Sequence, residues 1–434
     1  MPEGKRPPKG KRVAILAGCR TPFARANGFL QRESSLDLAR SALAELLNRA
    51  ELHGREVDQV VLGTVVPNVE APNIAREAAL LAGLPPCVEA YTVSRACASA
   101  NQAIASAAEA IGAGQATTVI AGGSESLSNV PLLTSKRLSR ALITATKART
   151  WSKRLAAFDP VKVKDLVPVT PAVEEFSTGL TMGRSTEKMA QENRISRDAQ
   201  DRFALRSHQL AAKATDDGRL ASEIVRYFRK DDPSQSLAAD DGIRRDTDLA
   251  ALSALGPVFD RKYGTLTAGN SSPLTDGAAA LLLMREDKAR AEGREPLGYL
   301  RSYAFVGVDP RDQLLIGPAY STPIALDRAG LALEDLTLVD FHEAFAAQVL
   351  SVLQALESES FCREKLNRAP LGPVDDDKLN VMGGSLALGH PFGATGARIT
   401  LSVLNELRRR GGGLGLIGVC AAGGLGCSMI VETE

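Results

Sequence analysis

The chain has 434 residues, of which 44% are hydrophobic and 24% charged, so it is too apolar to be disordered and long enough for about three globular units. Its 52 Lys and Arg against 51 Asp and Glu give a formal net charge of +1, which provides no overall field for gathering nucleic acid. No apolar run approaches the roughly 20 residues of a membrane-spanning helix.

The N-terminal segment and the cysteines both indicate a reducing, intracellular environment. Segment 1–12 is basic and rich in proline but has no apolar signal core, which favours an unexported, cytoplasmic protein. The six cysteines are scattered without C-x-x-C pairs in a chain large enough to fold without disulfides, so we expect free thiols. With only four histidines, neither a structural metal site nor a metal cofactor is predicted.

Short apolar runs alternate with helical periods in the first part of the chain. The pattern predicts strands at Val13–Leu16, Val60–Leu62 and Val119–Ala121, with helices at Leu36–Ala50 and Asn73–Ala82 between them. This alternation is typical of an α/β fold with a buried, mixed sheet.

The following segment, 127–274, changes to charged helices and irregular loops rich in proline and aspartate. Because the strand-like run Ala279–Met284 restores the α/β rhythm, we interpret the segment as an insertion into the first half. Within it, segment 132–164 has nine Lys and Arg against one acid, a balance of +8. Apolar residues recur there at steps of three or four, which predicts a basic amphipathic helix with Leu138, Leu142, Ala145, Ala148, Trp151 and Leu155 on one face.

The last third returns to strands and helices, predicted as strand Leu338–Asp340, helix His342–Leu356, helix Ala394–Arg408 and strand Leu414–Val419. Two details suggest an internal duplication. In each half a small-residue segment opens a helix and the next strand ends in two glycines, at Ala96–Ala110 with Gly122-Gly123 and at Gly393–Leu407 with Gly423-Gly424. Two such halves would bring their equivalent helices together at a pseudo-twofold centre.

Two residues are candidates for a thiol–imidazole pair. Cys97 follows the strand-like Tyr91–Val93 and opens the small-residue helix, whose dipole favours a thiolate there, although most lone cysteines only pack. Five glycines surround His390 in the segment Gly383–Gly396, and glycines let a loop approach closely enough to present an imidazole to a thiol.

Residues at two further predicted strand ends could take part in catalysis. Cys420 follows a predicted strand and precedes glycines, a turn that can aim a thiol and backbone N–H groups at one point, as an oxyanion hole requires. His342 lies at another strand end, where it could hold a catalytic water or a substrate oxygen, while Glu343 could orient the neighbouring loops.

Together these segments resemble, in chain order, the four active-site loops of the thiolase superfamily, and the resemblance extends from about Arg12 to the C-terminus. It implies an α/β fold of two duplicated halves, with mixed sheets in a layered α/β/α/β/α core and an inserted loop domain. The limits we expect are 1–126 with 275–295 for the N-terminal half, 127–274 for the loop domain and 296–434 for the C-terminal half.

Several positions depart from the commonest thiolase pattern. His342 stands where most members have asparagine, and alanines stand at Ala100 and Ala422 where glycine is usual. These departures resemble the β-subunit of the trifunctional fatty-acid oxidation complex, a long-chain 3-ketoacyl-CoA thiolase. Ser272 matches the position that contacts the pantetheine of CoA, and Met182-Gly183 with Thr186-Glu187 matches a motif near the acyl group.

The resemblance implies a role for each site residue. His390 would take the proton of Cys97, whose thiolate attacks the 3-keto carbon of a 3-oxoacyl-CoA, and Cys420 would protonate the departing acetyl-CoA enolate. The enolate oxygen would be bound by His390 and a water on His342, and the acyl oxygen by the N–H groups of Cys97 and Ala422. CoA is then a substrate, and no other cofactor is expected.

The family likeness also implies partners: a homodimer, and a hydratase/dehydrogenase α-subunit in an α2β2 assembly. The basic segment 132–164 could dock on an anionic membrane surface, which would place the protein peripherally at an inner membrane, or on CoA phosphates; packing of its apolar face within the fold is the alternative. A short-chain acetoacetyl-CoA thiolase and a scaffold subunit remain as competing functions. A ketoacyl synthase is disfavoured, because Cys420 occupies the place of a second histidine.

Overall fold

The computed structural model describes residues 11–52, 54, 56–169 and 174–434. The basic stretch 1–10, His53, Arg55 and residues 170–173 of the insertion therefore lie outside the described residues. The first half begins, in chain order, with β1 Val13–Arg20, β2 Ala24–Arg25, α1 Ser35–Arg49, β3 Gln59–Gly63, α2 Ile74–Leu81, β4 Glu89–Val93, α3 Ser99–Gly112 and β5 Thr118–Glu125.

The chain then leaves the sheet and returns to it 150 residues later. The elements of this excursion are α4 Lys136–Lys147, α5 Trp151–Ala156, α6 Met182–Glu192, α7 Arg197–Asp216, β6 Tyr227–Phe228, β7 Ser236–Leu237 and α8 Leu249–Ser253. The sheet resumes with β8 Thr275–Arg285, which pairs with β1 and β5 of the first half. The limits of the three domains stay a prediction.

The remaining elements form the second half. They are α9 Glu286–Ala291, β9 Gly298–Gly307, α10 Gly317–Ala329, β10 Leu338–Phe341, α11 Ala346–Glu357, α12 Glu359–Leu366, α13 Ser385–Leu388, α14 Thr395–Arg409, β11 Gly413–Ala421 and β12 Leu425–Thr433.

Nine strands form one continuous mixed sheet in the order β10-β11-β12-β9-β1-β8-β5-β3-β4. The short β2 pairs with β8 at its side, and β6 and β7 form a separate two-stranded sheet. Parallel pairs lie near the two ends of the large sheet, at β10–β11 and at β3 with β4 and β5, while antiparallel pairs lie between. The two halves join through a short pairing of Val13–Ile15 with Gly298–Leu300. Each half thus keeps its own set of strands.

Three hydrophobic clusters show the layers. The central cluster contains Ile104 of α3, Ile399 of α14 and strand residues from both halves, so these two helices lie between the two sets of strands. A second cluster places α1 and α2 on the outer face of the first set, and a third places α10 and α11 on the outer face of the second. The layered α/β/α/β/α arrangement predicted from the sequence is confirmed.

The central helices approach each other through small residues. A Cβ added at Gly396 of α14 would lie 2.0 Å from the Asn101 Oδ1 atom of α3, closer than any real contact. Glycine at this position therefore sets the separation of the two helices that begin beside the candidate site.

The basic amphipathic segment is not one helix. It is divided into α4 and α5 by residues 148–150, and of the residues in these two helices only Ala141 is buried. On the predicted apolar face, Trp151 is 75% exposed and Leu155 68%, and Leu142 is also exposed. Leu138, Ala145 and Ala148 of the same face are half-buried. No helix among the described residues is long and apolar enough to cross a membrane.

Candidate active site

Cys97 lies in a tight turn between β4 and α3. Ala96 has a left-handed backbone with φ of 46°, which an L-residue adopts at a cost of about 1–2 kcal/mol and which cannot continue a right-handed helix. The Ser99 hydroxyl closes the turn by accepting from the Arg95 N–H at 2.8 Å and donating to the Ala96 carbonyl at 2.6 Å. The helix predicted from Ala96 therefore begins at Ser99, and Cys97 stands just before it.

His390 is presented by a loop between α13 and α14. Gly389 before it has φ of 96°, and a Cβ there would lie 2.2 Å from the Thr275 side chain. The His390 backbone N–H donates to the Pro273 carbonyl at 3.2 Å, which fixes the loop against the segment that precedes β8. The imidazole is 3% exposed.

The structure brings the thiol and the imidazole into contact. His390 Nε2 lies 3.1 Å from Cys97 Sγ, and His390 Nδ1 lies 2.7 Å from Thr395 Oγ1. The Thr395 hydroxyl also faces the Pro391 carbonyl at 3.4 Å. If it donates there, Thr395 accepts from Nδ1–H, which leaves Nε2 as the nitrogen that can receive the thiol proton.

Burial keeps this pair neutral at rest. It raises the pKa of Cys97 to about 12, although the N–H groups of Ala422 and of Cys97 itself donate to the sulfur and oppose the rise. Burial also lowers the pKa of His390 to about 3, with the positive charge of Arg398 acting in the same direction. A helix dipole alone would favour a thiolate at Cys97, but burial favours the protonated thiol in the unliganded site.

Cys420 is the penultimate residue of β11 rather than the first residue after the strand. It is completely buried, and burial followed by the charge of Cys97 raises its pKa well above the ordinary value. The turn after the strand places the Ala422 N–H against the Cys97 sulfur. The site thus combines a protonated second thiol with two backbone donors aimed at the first.

His342 lies in a turn and not at the start of a helix, since α11 begins only at Ala346. The Asn380 side chain explains the difference, because it accepts from the Phe341 N–H at 2.8 Å and donates to the Phe341 carbonyl at 2.9 Å. It also donates to Glu343, whose other oxygen accepts from the Ser207 hydroxyl at 2.6 Å. Glu343 therefore ties this turn to α7 of the insertion.

The His342 ring packs beside the reacting pair. It is completely buried, and its centroid lies 4.1 Å from that of His390. Burial lowers its pKa well below the ordinary value, and the neighbouring His390 and Arg398 act in the same direction. One ring nitrogen of each histidine and Cys97 Sγ all lie within 4.8 Å of one another, the one group among the described residues whose spacing could also admit a metal ion.

Ser272 lies next to the His342 turn. Its backbone N–H donates to the Ala344 carbonyl at 3.0 Å, its side chain is half-buried, and its hydroxyl makes no hydrogen bond within the described part of the chain. The motif at the start of α6 reaches the same region, because the Gly183 backbone sits against the Phe259 ring and that ring packs edge-on against Phe345 at 5.9 Å.

Comparisons with known proteins agree with this geometry. A family model described as the thiolase N-terminal domain matches residues 13–287, and one described as the thiolase C-terminal domain matches residues 294–433. The chain belongs to the thiolase family. As a thiolase it is an acyltransferase, and the family predicted from the four ordered segments is confirmed.

Curated relatives and solved structures resemble this thiolase over its whole length. The 3-ketoacyl-CoA thiolases of Photorhabdus laumondii and of Escherichia coli strain SMS-3-5 are each 53% identical to it, with 98% of both chains covered. The crystal structures of Bacillus anthracis acetyl-CoA acetyltransferase and human mitochondrial 3-ketoacyl-CoA thiolase are 34% and 31% identical. Each superposes with a TM-score of 0.83 over 98% of this chain and 99% of the other.

Four buried residues that hold this thiolase's site together were not predicted from the sequence. Thr395 and Ser385 contact the two histidines, Arg398 contacts Ser385, and Glu125 accepts from the backbone of Gly393. Three of the four lie within eight residues of His390 in the chain, so their proximity in the sequence was a usable signal. The sequence signal for Glu125 was weaker: it is an acidic residue at the end of a strand of small residues.

Proposed function

We propose that this thiolase cleaves a 3-oxoacyl-CoA with CoA to give acetyl-CoA and an acyl-CoA shortened by two carbons. The observation that carries the proposal is the 3.1 Å contact between Cys97 Sγ and His390 Nε2, with the protonated Cys420 thiol buried beside it. The curated relatives named 3-ketoacyl-CoA thiolase, at 53% identity over nearly the full chain, support the same activity.

The first half-reaction forms an acyl-enzyme. As the Cys97 sulfur attacks the 3-keto carbon, its proton passes to His390 Nε2, and the carbonyl oxygen takes up the negative charge against the N–H groups of Cys97 and Ala422. Breaking the carbon–carbon bond leaves the acyl group on sulfur and releases acetyl-CoA as an enolate. Its oxygen is bound by protonated His390 and by a water held on His342, and Cys420 supplies the proton to its carbon.

The second half-reaction restores the enzyme. The Cys420 thiolate takes the proton of an incoming CoA thiol, whose sulfur attacks the acyl–Cys97 thioester. Cys97 leaves as a thiolate and recovers its proton from His390. Ser272, half-buried beside the His342 turn, is the position that we assign to the pantetheine arm. No step requires a metal ion or any cofactor besides CoA as substrate.

The test is CoA-dependent cleavage by the purified chain with a matched pair of variants. Cys97→Ala should abolish cleavage and the acyl adduct seen by intact-mass spectrometry, while Cys87→Ala, which removes an exposed thiol, should retain both. CoA binding, measured by calorimetry, should survive in Cys97→Ala. Undiminished turnover in Cys97→Ala would refute the mechanism.

Chain length is tested with the same preparation. We propose a long-chain thiolase that acts with a hydratase/dehydrogenase α-subunit, and expect a higher kcat/KM for 3-oxohexadecanoyl-CoA than for acetoacetyl-CoA. The likeness to an acetyl-CoA acetyltransferase structure favours the alternative, a short-chain acetoacetyl-CoA thiolase. A preference for acetoacetyl-CoA would select that alternative, and cleavage of neither substrate with the α-subunit present would leave only a scaffold role.

The proposed homodimer is tested by light scattering of the purified chain.

The exposed α4–α5 surface supports a peripheral contact with an anionic membrane, which would place the protein at an inner membrane. Nine basic residues accompany exposed Leu142, Ile143, Trp151 and Leu155, the combination that lets a helix lie in a charged interface. Co-sedimentation with vesicles containing about a third anionic lipid should fall with added salt and in a Trp151→Ala/Leu155→Ala variant. Absence of binding even at low salt would contradict the contact and leave CoA phosphates as the partner of these charges.

A further inference from the structure

His342 and His390 have similar surroundings but different hydroxyl partners. His342 Nδ1 lies 3.0 Å from the Ser385 hydroxyl, and Ser385 in turn accepts from Arg398 Nη2 at 2.9 Å. Ser385 and His342 are completely buried and Arg398 is 1% exposed. The three side chains therefore form a hydrogen-bonded line, shielded from bulk water, that ends at the active site.

The direction of each hydrogen bond follows from the chemistry of the groups. A guanidinium can only donate, so Arg398 occupies one lone pair of the Ser385 oxygen. The Ser385 hydroxyl has its own proton to place, and among the described residues its remaining partner is His342 Nδ1. If Nδ1 carried a proton instead, the oxygen would accept twice and a buried O–H would be left without an acceptor, at a cost of about 1–3 kcal/mol.

The charges around the ring favour the neutral form. Burial lowers the pKa of His342 well below its ordinary value, and positive charge on His390 and on Arg398 acts in the same direction, so a doubly protonated ring is disfavoured. Burial lowers the pKa of Arg398, and the negative charges of Asp340 and Glu343 oppose that change and so favour the charged guanidinium. A neutral imidazole that accepts at Nδ1 carries its single proton on Nε2.

We infer that Ser385, polarised by Arg398, is a positioning residue that locks His342 in the tautomer with Nε2–H directed at the site. His342 Nε2 is buried and has no hydrogen-bond partner among the described residues, so this N–H is available to the oxygen of the enolate or to the water that bridges to it. The inference rests on the proposed thiolysis. It gives the two histidines opposite tautomers: His390 accepts a proton at Nε2 and His342 donates there.

Two measurements separate this role from a merely structural one. Ser385→Ala should lower kcat by about tenfold or more, up to the roughly 10²-fold cost of one oxyanion donor, with KM for CoA little changed. In a His342→Asn background, whose amide has no tautomers, the same Ser385→Ala change should cost less than threefold. Equal losses in both backgrounds would show that Ser385 only packs, and would overturn the inference.

Nitrogen-15 NMR of the histidine-labelled wild-type protein reads the tautomer directly and does not depend on activity. The chain has four histidines, so the His342 signals are assigned by their loss in His342→Asn. We expect the chemical shift of an unprotonated nitrogen at Nδ1 and of a protonated nitrogen at Nε2. The reverse pattern would refute the inference while leaving the proposed function intact, whereas a correct tautomer in a chain that cleaves no 3-oxoacyl-CoA would refute only the function.

Discussion

Glu125 is a buried carboxylate whose replacement by glutamine should change how stability depends on pH. It ends β5 and is completely buried. One oxygen accepts from the N–H groups of Val65 and Gly393 at 2.9 and 3.0 Å, and the other accepts from the Val66 N–H and the Thr64 hydroxyl at 3.0 and 3.2 Å. The Gly393 bond holds the loop that follows His390, which links this group to the site.

Two opposed effects set the magnitude for Glu125→Gln. The amide NH2 must face backbone N–H groups in either orientation, and each donor left unsatisfied costs about 1–3 kcal/mol. Removing a buried charge offsets part of that cost at high pH, because burial raises the pKa of Glu125 from 4.5 to about 7 despite its hydrogen bonds. That difference, at about 1.4 kcal/mol per pH unit, is worth about 3 kcal/mol.

The sign follows from proton binding. Between pH 4.5 and about 7 the folded state holds the Glu125 proton and the unfolded state does not, so the free energy of unfolding falls as pH rises through this window and is level above it. Glutamine lacks this dependence. The deficit of the variant relative to wild type should therefore be larger at pH 5 than at pH 8, by about 2–3 kcal/mol.

Urea unfolding followed by far-UV circular dichroism checks the prediction, because the single tryptophan lies in exposed α5 and reports poorly on the core. Wild type and Glu125→Gln are compared at pH 5 and 8 at equal protein concentration, with exposed Glu70→Gln as the control. The control should show no difference from wild type at either pH. A Glu125→Gln deficit equal at both pH values would refute the reasoning, because the carboxylate would then not titrate in this window.

Two other predictions concern the central helices and the nucleophile. Gly396→Ala should lower the free energy of unfolding by about 1–3 kcal/mol, because the added Cβ overlaps Asn101. Gly112→Ala, whose added Cβ has nothing within 4 Å, should be neutral or stabilising by up to about 1 kcal/mol. Thermal unfolding compares the two variants, and equal melting temperatures would contradict the packing argument. In a Cys87→Ser background, iodoacetamide inactivation through Cys97 should accelerate steadily with pH to at least pH 10, since burial raises its thiol pKa. A rate that levels off near pH 7 would indicate a resting thiolate.

Periodicity predicted the fold well because the buried strands carry continuous apolar runs. The run at Val119–Ala121 marks a strand that is buried along its whole length, and the small-residue segments mark the two helices at the centre of the molecule. The insertion was predicted less well. The apolar residues keep a 3.6-residue spacing through residues 148–150, so the pattern predicts one helix. The structure has extended backbone there, which divides the segment into two helices.

The candidate site was predicted as a set of residues but not as a geometry. Glycine-rich motifs indicated where Cys97 and His390 lie, yet the left-handed conformation at Ala96 has no sequence signal, because alanine is a strong helix former. The start of α11 was misjudged for a related reason. It depends on the Asn380 side chain, which lies nearly forty residues later in the chain and occupies the backbone groups of Phe341.

The pKa shifts of the reacting pair explain how the half-buried Cys97 thiol can be both stable and reactive. With the Cys97 pKa raised and the His390 pKa lowered, moving the proton between them is unfavourable in the unliganded site, so little thiolate is present to be oxidised. In the proposed reaction the N–H groups of Cys97 and Ala422, which face the sulfur in the unliganded site, bind the substrate carbonyl, so negative charge passes from sulfur to an oxygen that they stabilise. We infer that proton transfer and carbon–sulfur bond formation are coupled, and that binding of the substrate, rather than the helix dipole, activates the thiol.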